Sequence, residues 1–162
     1  MAAGTHCEDL GYSLMAELTG SLKAIADYYF TLMTDNMSGL GLQAVYYGDQ
    51  DNVPVSPVVC VEPDTKSRTL ARIGRGTDVE FSLFLLLYGS SIRDPQANRS
   101  DIDALAEAVE SLVHQNERLG GLAVTSLVSR VESGYATKAN AIMRASRLTV
   151  EVHSQERLPT EI

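Results

Sequence analysis

The residues of this chain best suited to acid–base chemistry are three carboxylates near one end of the predicted sheet. Asp49 and Asp51 lie in the segment YYGDQDN, and Glu62 precedes Pro63. A tight turn and a proline-ended strand can bring such side chains together, and paired carboxylates can act as general acid and base. A structural interpretation is favoured, because Asp in a turn satisfies nearby backbone N–H groups and a residue before proline is held extended.

No other group of residues indicates catalysis or a cofactor. The histidines occur singly, without the spacing of a metal motif; they are His6, His114 and His153. GxSxG and GxxxxGK[ST] motifs are absent, and the pair Gly74 and Gly76 lacks the third glycine and the helix of a dinucleotide site. Cys7 and Cys60 lie outside any CxxC motif, which favours reduced, unpaired thiols. The sequence therefore predicts a protein that is not an enzyme and needs no cofactor or metal.

Composition predicts one globular domain over residues 1–162. The chain is 44% apolar and 21% charged, which is typical of a soluble domain with a single core. No apolar run approaches the roughly 20 residues of a membrane helix, and residues 1–10 lack the basic-then-apolar order of a signal peptide. We therefore expect a cytosolic protein without membrane association. The net charge of −8 argues against binding that depends on many phosphate contacts.

Positive and negative charges are unevenly distributed along the chain. A basic segment free of acids contains Lys66, Arg68, Arg72 and Arg75, and an acidic stretch free of bases contains Asp101, Asp103, Glu107 and Glu110. The basic segment has three interpretations: simple solvation, contact with DNA, or docking on the acidic stretch of a neighbouring copy. Docking is preferred to DNA contact because the rest of the chain is acidic, while simple solvation is equally compatible with the sequence.

Apolar spacing predicts two amphipathic helices. The first follows a capping pattern at Thr5 and runs over residues 10–32, through Gly20, with glycines 39 and 41 as its stop. The second starts at Ser100, carries the acids on one face, and ends before the glycines at 120 and 121.

The remaining apolar segments predict strands. Residues 79–88 are apolar on both strand faces, so we expect this strand in the middle of the sheet, covered on both sides. The other predicted strands are 43–48, 58–61, 66–73, 122–132 and 141–153, the last two forming a hairpin connected by SGYATKAN. This order predicts an α+β fold, a mainly antiparallel sheet with two helices packed on one face. We expect residues 156–162 to form a flexible tail.

At QAVYYGDQDNVPVSPVVCVEP the chain resembles the tail terminator, or tail-completion, proteins of long-tailed bacteriophages. The family-like positions are Tyr46, Tyr47, Gly48, Asp49, Gln50, Pro54, Pro57, Cys60, Glu62 and Pro63. DVEFSLFLLLYGS is similar to the family's central strand, DALAEAVESLVHQNERLGGL to its second helix, and VSRVESGYATKANAIMRASRLTVEV to its C-terminal hairpin. The resemblance covers roughly residues 10 to 155.

The resemblance implies a structural protein of the phage neck that assembles in the host cytoplasm. It implies a homo-hexameric ring that caps the tail tube at full length and offers the joining surface for the head-side connector, or stopper. The tube protein and the stopper are then the expected partners, with the sheath protein as a further candidate. In such a ring one flank of each subunit must complement the other, and the basic segment and the acidic helix would supply unlike flanks.

An acidic lining of the bore would let DNA pass without specific binding, because like charges repel. Two alternatives to a terminator remain open at this point. One is another head–tail connector protein, such as a stopper or head-completion protein. The other is a small cytosolic hydrolase that uses Asp49 and Glu62.

Overall fold

The structure is a computed structural model that describes residues 21–70, 76–91, 95–139 and 141–157. The elements, in chain order, are α1 (Leu22–Asp35), α2 (Met37–Leu40), β1 (Ala44–Tyr47), β2 (Val58–Leu70), β3 (Gly76–Ser91), α3 (Pro95–Gln115), a 3-10 turn (Leu119–Gly121), β4 (Thr125–Lys138) and β5 (Ala141–Arg157).

The five strands form one sheet in the order β1-β2-β3-β5-β4. All neighbouring pairs are antiparallel except β1 and β2, which run parallel. The helices α1 and α3 pack on the same face of this sheet, α1 over β1 and β2 and α3 over β3, β4 and β5. The predicted α+β class with a mainly antiparallel sheet is therefore confirmed.

The core lies between the sheet and the two long helices. Successive side chains of a strand point to opposite faces, so alternate residues of β3 from Val79 to Leu87 share the helix face, and all of them are buried. Their partners include Ile25 and Tyr29 of α1 and Val109 of α3. Burial of each large side chain contributes about 1.5–3 kcal/mol, so this one face accounts for much of the folding free energy.

The face of the sheet opposite the helices, here called the open face, differs from the prediction. We expected β3 to be covered on both sides, but Phe84 and Leu86 are only half-buried and no helix in the described ranges packs there. Tyr88 is buried because the β1–β2 connection folds over it, with Val53 packing on the same small cluster. The apolar residues on this face therefore do not require a second helical layer.

The predicted first helix does not run through residue 21. Ser21 has an extended backbone, φ −81° and ψ 162°, and its hydroxyl accepts a hydrogen bond from the Ala24 N–H. A serine N-cap satisfies a donor that the first turn would otherwise leave free, so α1 begins at Leu22. The helix ends at Asp35, and Gly41, in the left-handed region, ends the short α2 instead. The predicted capping pattern at Thr5 lies outside the described residues.

The predicted start of the second long helix at Ser100 is also wrong. This helix, α3, begins at Pro95, in what we had predicted to be a loop. Proline suits the first helical turn, where its missing N–H has no partner to lose. The helix ends at Gln115, before the glycines that we expected to stop it, and those glycines lie in the 3-10 turn.

Apart from β1, which is shorter than the predicted 43–48, the strands are longer than predicted. Residues 58–61 and 66–70 belong to one strand, with an irregularity between Pro63 and Thr65 rather than a turn. Most of the segment SGYATKAN is part of β4. The expected flexible tail is contradicted at Glu156 and Arg157, which lie in β5, and the Glu156 side chain is only 9% exposed. Residues 158–162 lie outside the described part of the chain.

Candidate functional site

The family-like segment turns sharply at Gly48, directly after β1. Gly48 has φ +84°, a conformation that side chains with a Cβ rarely adopt, and its N–H donates to the Val61 carbonyl at 2.8 Å. A Cβ at this position would also stand 3.6 Å from Oε2 of Glu62. The glycine therefore lets the chain leave the edge of the sheet and fold back over the open face.

Asp49 and Glu62, two of the three candidate carboxylates, are brought together by this turn. The backbone N–H of Asp49 donates to Glu62 Oε2 at 2.6 Å, so the contact uses the Asp49 main chain and not its carboxylate. The Asp49 carboxylate in turn accepts from the Gln50 N–H at 3.0 Å. The third candidate, Asp51, is exposed. Asp49 and Glu62 thus satisfy backbone donors of the loop, as the structural interpretation expected.

The Asp49 carboxylate is also held by two residues that the sequence did not single out. The Tyr88 hydroxyl donates to Oδ1 at 2.7 Å, and Lys138 Nζ lies 3.0 Å from both carboxylate oxygens. Lys138 Nζ stands 4.9 Å from the centroid of the Tyr88 ring, and the Lys138 side chain is only 11% exposed. We call this set the turn cluster; its members are Gly48, Asp49, Gln50, Glu62, Tyr88 and Lys138.

The electrostatics of the turn cluster favour fixed charges over reactive groups. Partial burial favours the protonated form of Asp49, but the hydrogen bond from Tyr88 and the contacts with Lys138 outweigh it and keep the carboxyl pKa below its usual range. Burial, together with Asp49, raises the pKa of the Tyr88 hydroxyl. Burial raises the pKa of the Cys60 thiol to about 11. Tyr88 therefore stays a hydrogen-bond donor, and Cys60 stays a thiol, which is a weak nucleophile.

The other family-like residues surround this cluster. Tyr46 packs beside the buried, free thiol of Cys60, and Tyr47 is exposed beside the Phe30 ring. Pro54 is exposed, while Pro63 lies at the irregularity in β2. Pro57 lines a cavity of about 420 Å³ between the β1–β2 connection, α2 and α3. The family-like segment thus includes a loop that is held against the sheet by these contacts.

The described part of the basic segment lies on the helix side of β2. Arg68 Nε forms an ion pair with Glu156 Oε2 at 2.7 Å, and Lys66 Nζ stands 5.3 Å from the centroid of the Phe81 ring. Partial burial, and then the nearby Arg68, lower the pKa of Lys66. Arg72 and Arg75 lie outside the described residues.

Three of the four acidic residues, Asp103, Glu107 and Glu110, lie along one side of α3, whereas Asp101 is on another side and lines the cavity beside Pro57. Glu107 is exposed, and Asp103 and Glu110 are half-buried. His114, one turn after Glu110, accepts a hydrogen bond at Nε2 from the Val128 N–H of β4 at 3.1 Å. Residues four apart share a helix side, so the acidic side of α3 lies above β4. The described part of the basic segment and the acidic side of α3 are therefore on opposite flanks of the sheet.

Both flanks end in strand edges. β1 covers only Val58–Val61 of β2, so residues 64–70 of β2 have no outer strand within the described ranges. On the other flank, β4 is the edge strand along its whole length among the residues that the structure describes. Apolar side chains are exposed along that edge, namely Val124, Leu127, Val131 and Tyr135. An unpaired edge with exposed apolar side chains is a surface suited to pairing with another chain.

No family model and no curated protein matches this chain. None of the helices in the described ranges is long and apolar enough to cross a membrane.

Proposed function

We propose that this protein is a tail terminator of a long-tailed bacteriophage, a structural subunit that forms a homo-hexameric ring on the end of the tail tube. The observation that carries the proposal is that, within the described residues, both flanks of the sheet end in strand edges, with Lys66 and Arg68 on one flank and Asp103, Glu107 and Glu110 on the other. The resemblance of residues 46–63 to the terminator family supplies the biological setting. The ring would end elongation of the tube and offer the joining surface for the head-side connector.

Unlike flanks support a ring because a cyclic assembly uses heterologous contacts. Each subunit presents one surface to its left-hand neighbour and a different surface to its right-hand neighbour. Lys66 and Arg68, the described part of the basic segment, lie on the stretch of β2 that has no outer strand in the described ranges, and the acidic side of α3 lies above β4. Opposite charges on complementary surfaces set the register of such a contact and disfavour wrong partners.

The exposed apolar residues of β4 support the same contact. Val131 is 44% exposed and Tyr135 is 60% exposed, on a strand whose outer backbone groups have no partner within the described ranges. Pairing with a neighbouring copy would satisfy those backbone groups and remove the apolar side chains from water. The charged side chains would then orient a contact that the edge strand stabilises.

The proposed location is the neck of the virion, at the top of the tail. The proposed partners are the tail tube protein, the stopper and, in a contractile tail, the sheath protein. The net charge of −8 supports passage of DNA through the bore without specific binding, because an acidic wall repels phosphates.

We also propose that the protein is not an enzyme. The hydrolase alternative needs Asp49 and Glu62 as acid and base, yet both carboxylates are occupied by contacts within the turn cluster. A double variant, Asp49→Asn with Glu62→Gln, is the matching test. If it abolished a turnover measured with the wild-type protein while leaving assembly intact, the structural proposal would lose its claim to be the function.

The decisive test is the addition of the pure protein to growing tail tubes of a long-tailed phage. We expect it to bind the free ends and to stop elongation, measured as tube length and end-on ring density by negative-stain electron microscopy. Continued growth with bare ends would overturn the proposal. Attachment to DNA-filled heads instead of tubes would identify a stopper.

The interface is tested by a charge swap. Arg72→Glu should weaken assembly on tubes, and Glu107→Lys in the same chain should restore part of it, because the swap restores an attractive pair between copies. Independent, additive effects of the two changes would reject this pairing.

A matched pair of variants tests the β4 edge. Val131→Lys places a charge on the edge strand, whereas Val55→Lys places one on an equally exposed residue of the β1–β2 connection, 43% against 44%. We expect the first to reduce ring formation and the second to leave it unchanged. Equal effects would exclude β4 as the contact.

A further inference from the structure

Three potential metal ligands meet on the open face, far from the turn cluster along the same strands. Glu80 of β3 is directly opposite His153 of β5, and Glu151 lies two residues before His153 on the same face. Ligand atoms of the three side chains all lie within 4.8 Å of one another. The sequence showed His153 as an isolated histidine; Glu151 precedes it by two residues on the same strand, and only the antiparallel register brings Glu80 to it.

The two carboxylates of this group have no basic partner. Neither Glu80 nor Glu151 forms an ion pair within the described ranges, whereas Asp49, Glu132 and Glu156 each pair with Lys or Arg. The other cross-strand neighbours on this face are uncharged; they are Ser67 opposite Glu80, Thr125 opposite His153, and Ser82 and Leu127 opposite Glu151. The nearby Asp78 adds a further negative charge. Within the described ranges, this end of the open face therefore lacks a cation.

The imidazole of His153 is also available. The two described histidines differ, because His114 Nε2 already accepts a hydrogen bond from the Val128 N–H. His153 contributes its backbone carbonyl to the Val124 N–H at 2.9 Å, and its side chain forms no hydrogen bond within the described part of the chain. Both of its ring nitrogens can thus be used.

We propose that Glu80, Glu151 and His153 bind one divalent transition-metal ion, Zn²⁺ being the best match. One imidazole and two carboxylates form a suitable zinc ligand set, whereas Mg²⁺ prefers oxygen ligands alone. Zinc ligands lie at about 2.0–2.2 Å, so tetrahedral donors are roughly 3.4 Å apart. Since the present separations are at most 4.8 Å, they need to close by no more than about 1.4 Å, which side-chain rotations of the two glutamates supply. Water would complete the coordination.

This inference does not depend on the proposed ring, since all three ligands come from one chain. It also explains a local conflict of charges, because a bound cation would offset the repulsion between Glu80 and Glu151. The two strands that carry the ligands are paired along nearly their whole length, so the ligand backbones are held in place before the ion arrives.

The test is isothermal titration of the full chain with ZnCl₂, repeated with MgCl₂. We expect one Zn²⁺ per chain and no measurable Mg²⁺ binding at the same concentrations. Glu80→Gln and His153→Gln should each lower the Zn²⁺ affinity by about tenfold or more, because each removes a direct ligand. Zn²⁺ should also raise the melting temperature of the wild type and not of His153→Gln.

Two matched variants control for binding elsewhere. Glu117→Gln removes the same charge from an exposed turn residue, and His6→Gln removes the histidine beside Cys7. Both should bind Zn²⁺ like the wild type. Absence of Zn²⁺ binding in the wild type, or equal binding by wild type and His153→Gln, would overturn the proposal. Zn²⁺ binding that is lost in His6→Gln would place the ion at the N-terminus and would likewise overturn it.

Discussion

The two ends of the open face differ in whether their carboxylates are paired with a basic side chain. At the end near the β1–β2 connection, Asp49 is held by Lys138 and Tyr88. At the other end, Glu80 and Glu151 lie beside His153 with no Lys or Arg paired to them in the described ranges. Strands β3 and β5 run through both ends, so strand composition alone does not explain the difference.

The two ends differ because different segments of the chain pack on them. The β1–β2 connection folds over the first end, and Lys138 enters it from the end of β4, 89 residues away along the chain. The resulting contacts are partly shielded from water, where an ion pair is stronger than at an exposed site. The second end has only neighbouring strand residues around it. The comparison indicates that one end stabilises the fold, while the other is free to bind a cation.

Tyr88 is the position at which we expect a substitution to have the largest effect on the first end of the open face. Tyr88→Ala should lower the free energy of unfolding by about 3–5 kcal/mol, because it removes a buried ring as well as the hydrogen bond to Asp49. Tyr88→Phe should lose only about 1 kcal/mol, since the ring remains. Urea denaturation at neutral pH measures both. Tyr135→Ala, at a residue 60% exposed, is the control, and an equal loss there would refute the special role of Tyr88.

A substitution at Gly48 tests whether the turn after β1 depends on the backbone conformation of that residue. Gly48→Ala should destabilise the protein by about 1–2 kcal/mol, because the position requires a left-handed backbone. Gly39→Ala is the matched control: Gly39 lies in α2, and a methyl group added there would have no other atom within 4 Å. That change should be neutral or stabilising by about 0.5–1 kcal/mol. A larger loss of stability for Gly39→Ala than for Gly48→Ala would contradict the requirement for glycine in the turn.

Asp49 makes the first end sensitive to acid. Its pKa is lower in the folded than in the unfolded chain, so its contribution is complete above the unfolded value of about 3.9 and is lost as the pH falls through the folded value. Wild type should therefore be more stable than Asp49→Asn at pH 7, and the gap should close in acid. Denaturation series from pH 7 to pH 2 measure this. Asp51→Asn, an exposed change in the same loop, should shift stability by only about 0.5 kcal/mol or less.

The smallest effect is expected at the second end, with the opposite sign. Without added metal, Glu151→Gln should stabilise the fold by a few tenths of a kcal/mol, because it removes repulsion with Glu80. Salt should reduce this gain, since the pair is accessible to solvent and therefore screened. Thermal unfolding in chelator at low and high ionic strength provides the measurement. A loss of stability in chelator would mean that Glu151 has a structural partner instead.

Much of the fold was predictable because periodicity in sequence reports which face of an element is buried. The apolar run of residues 79–88 correctly indicated the central strand, although not its coverage on one side only, and the apolar spacing from Ile102 to Val113 correctly indicated a helix with one buried face. The first residues of the helices were less predictable, because neighbouring residues compete to start the same helix. Ser21 capped α1 where the apolar spacing continued, and Pro95 started α3 before the better-known capping pattern at Ser100.

The site was predictable only in part. The turn at YYGDQDN could be predicted from its glycine and short acids, and Asp49 and Glu62 do meet there. The other partners of Asp49, which are Tyr88 and Lys138, could not be predicted, because no local pattern in the sequence links them to Asp49. The same holds for His153, which looks isolated in the sequence and meets Glu80 only through the pairing of β3 with β5.

Local patterns in the chain were enough to predict the α+β class, the apolar faces, the turn at Gly48 and the separation of basic from acidic stretches, because each depends on neighbours within a few residues. Three relations follow only from the folded sheet: which carboxylates pair with Lys or Arg, that Lys66 and Arg68 lie on the flank opposite the acidic side of α3, and that Glu80 lies beside His153. Strand register sets those relations, and register is the joint result of packing over the whole sheet.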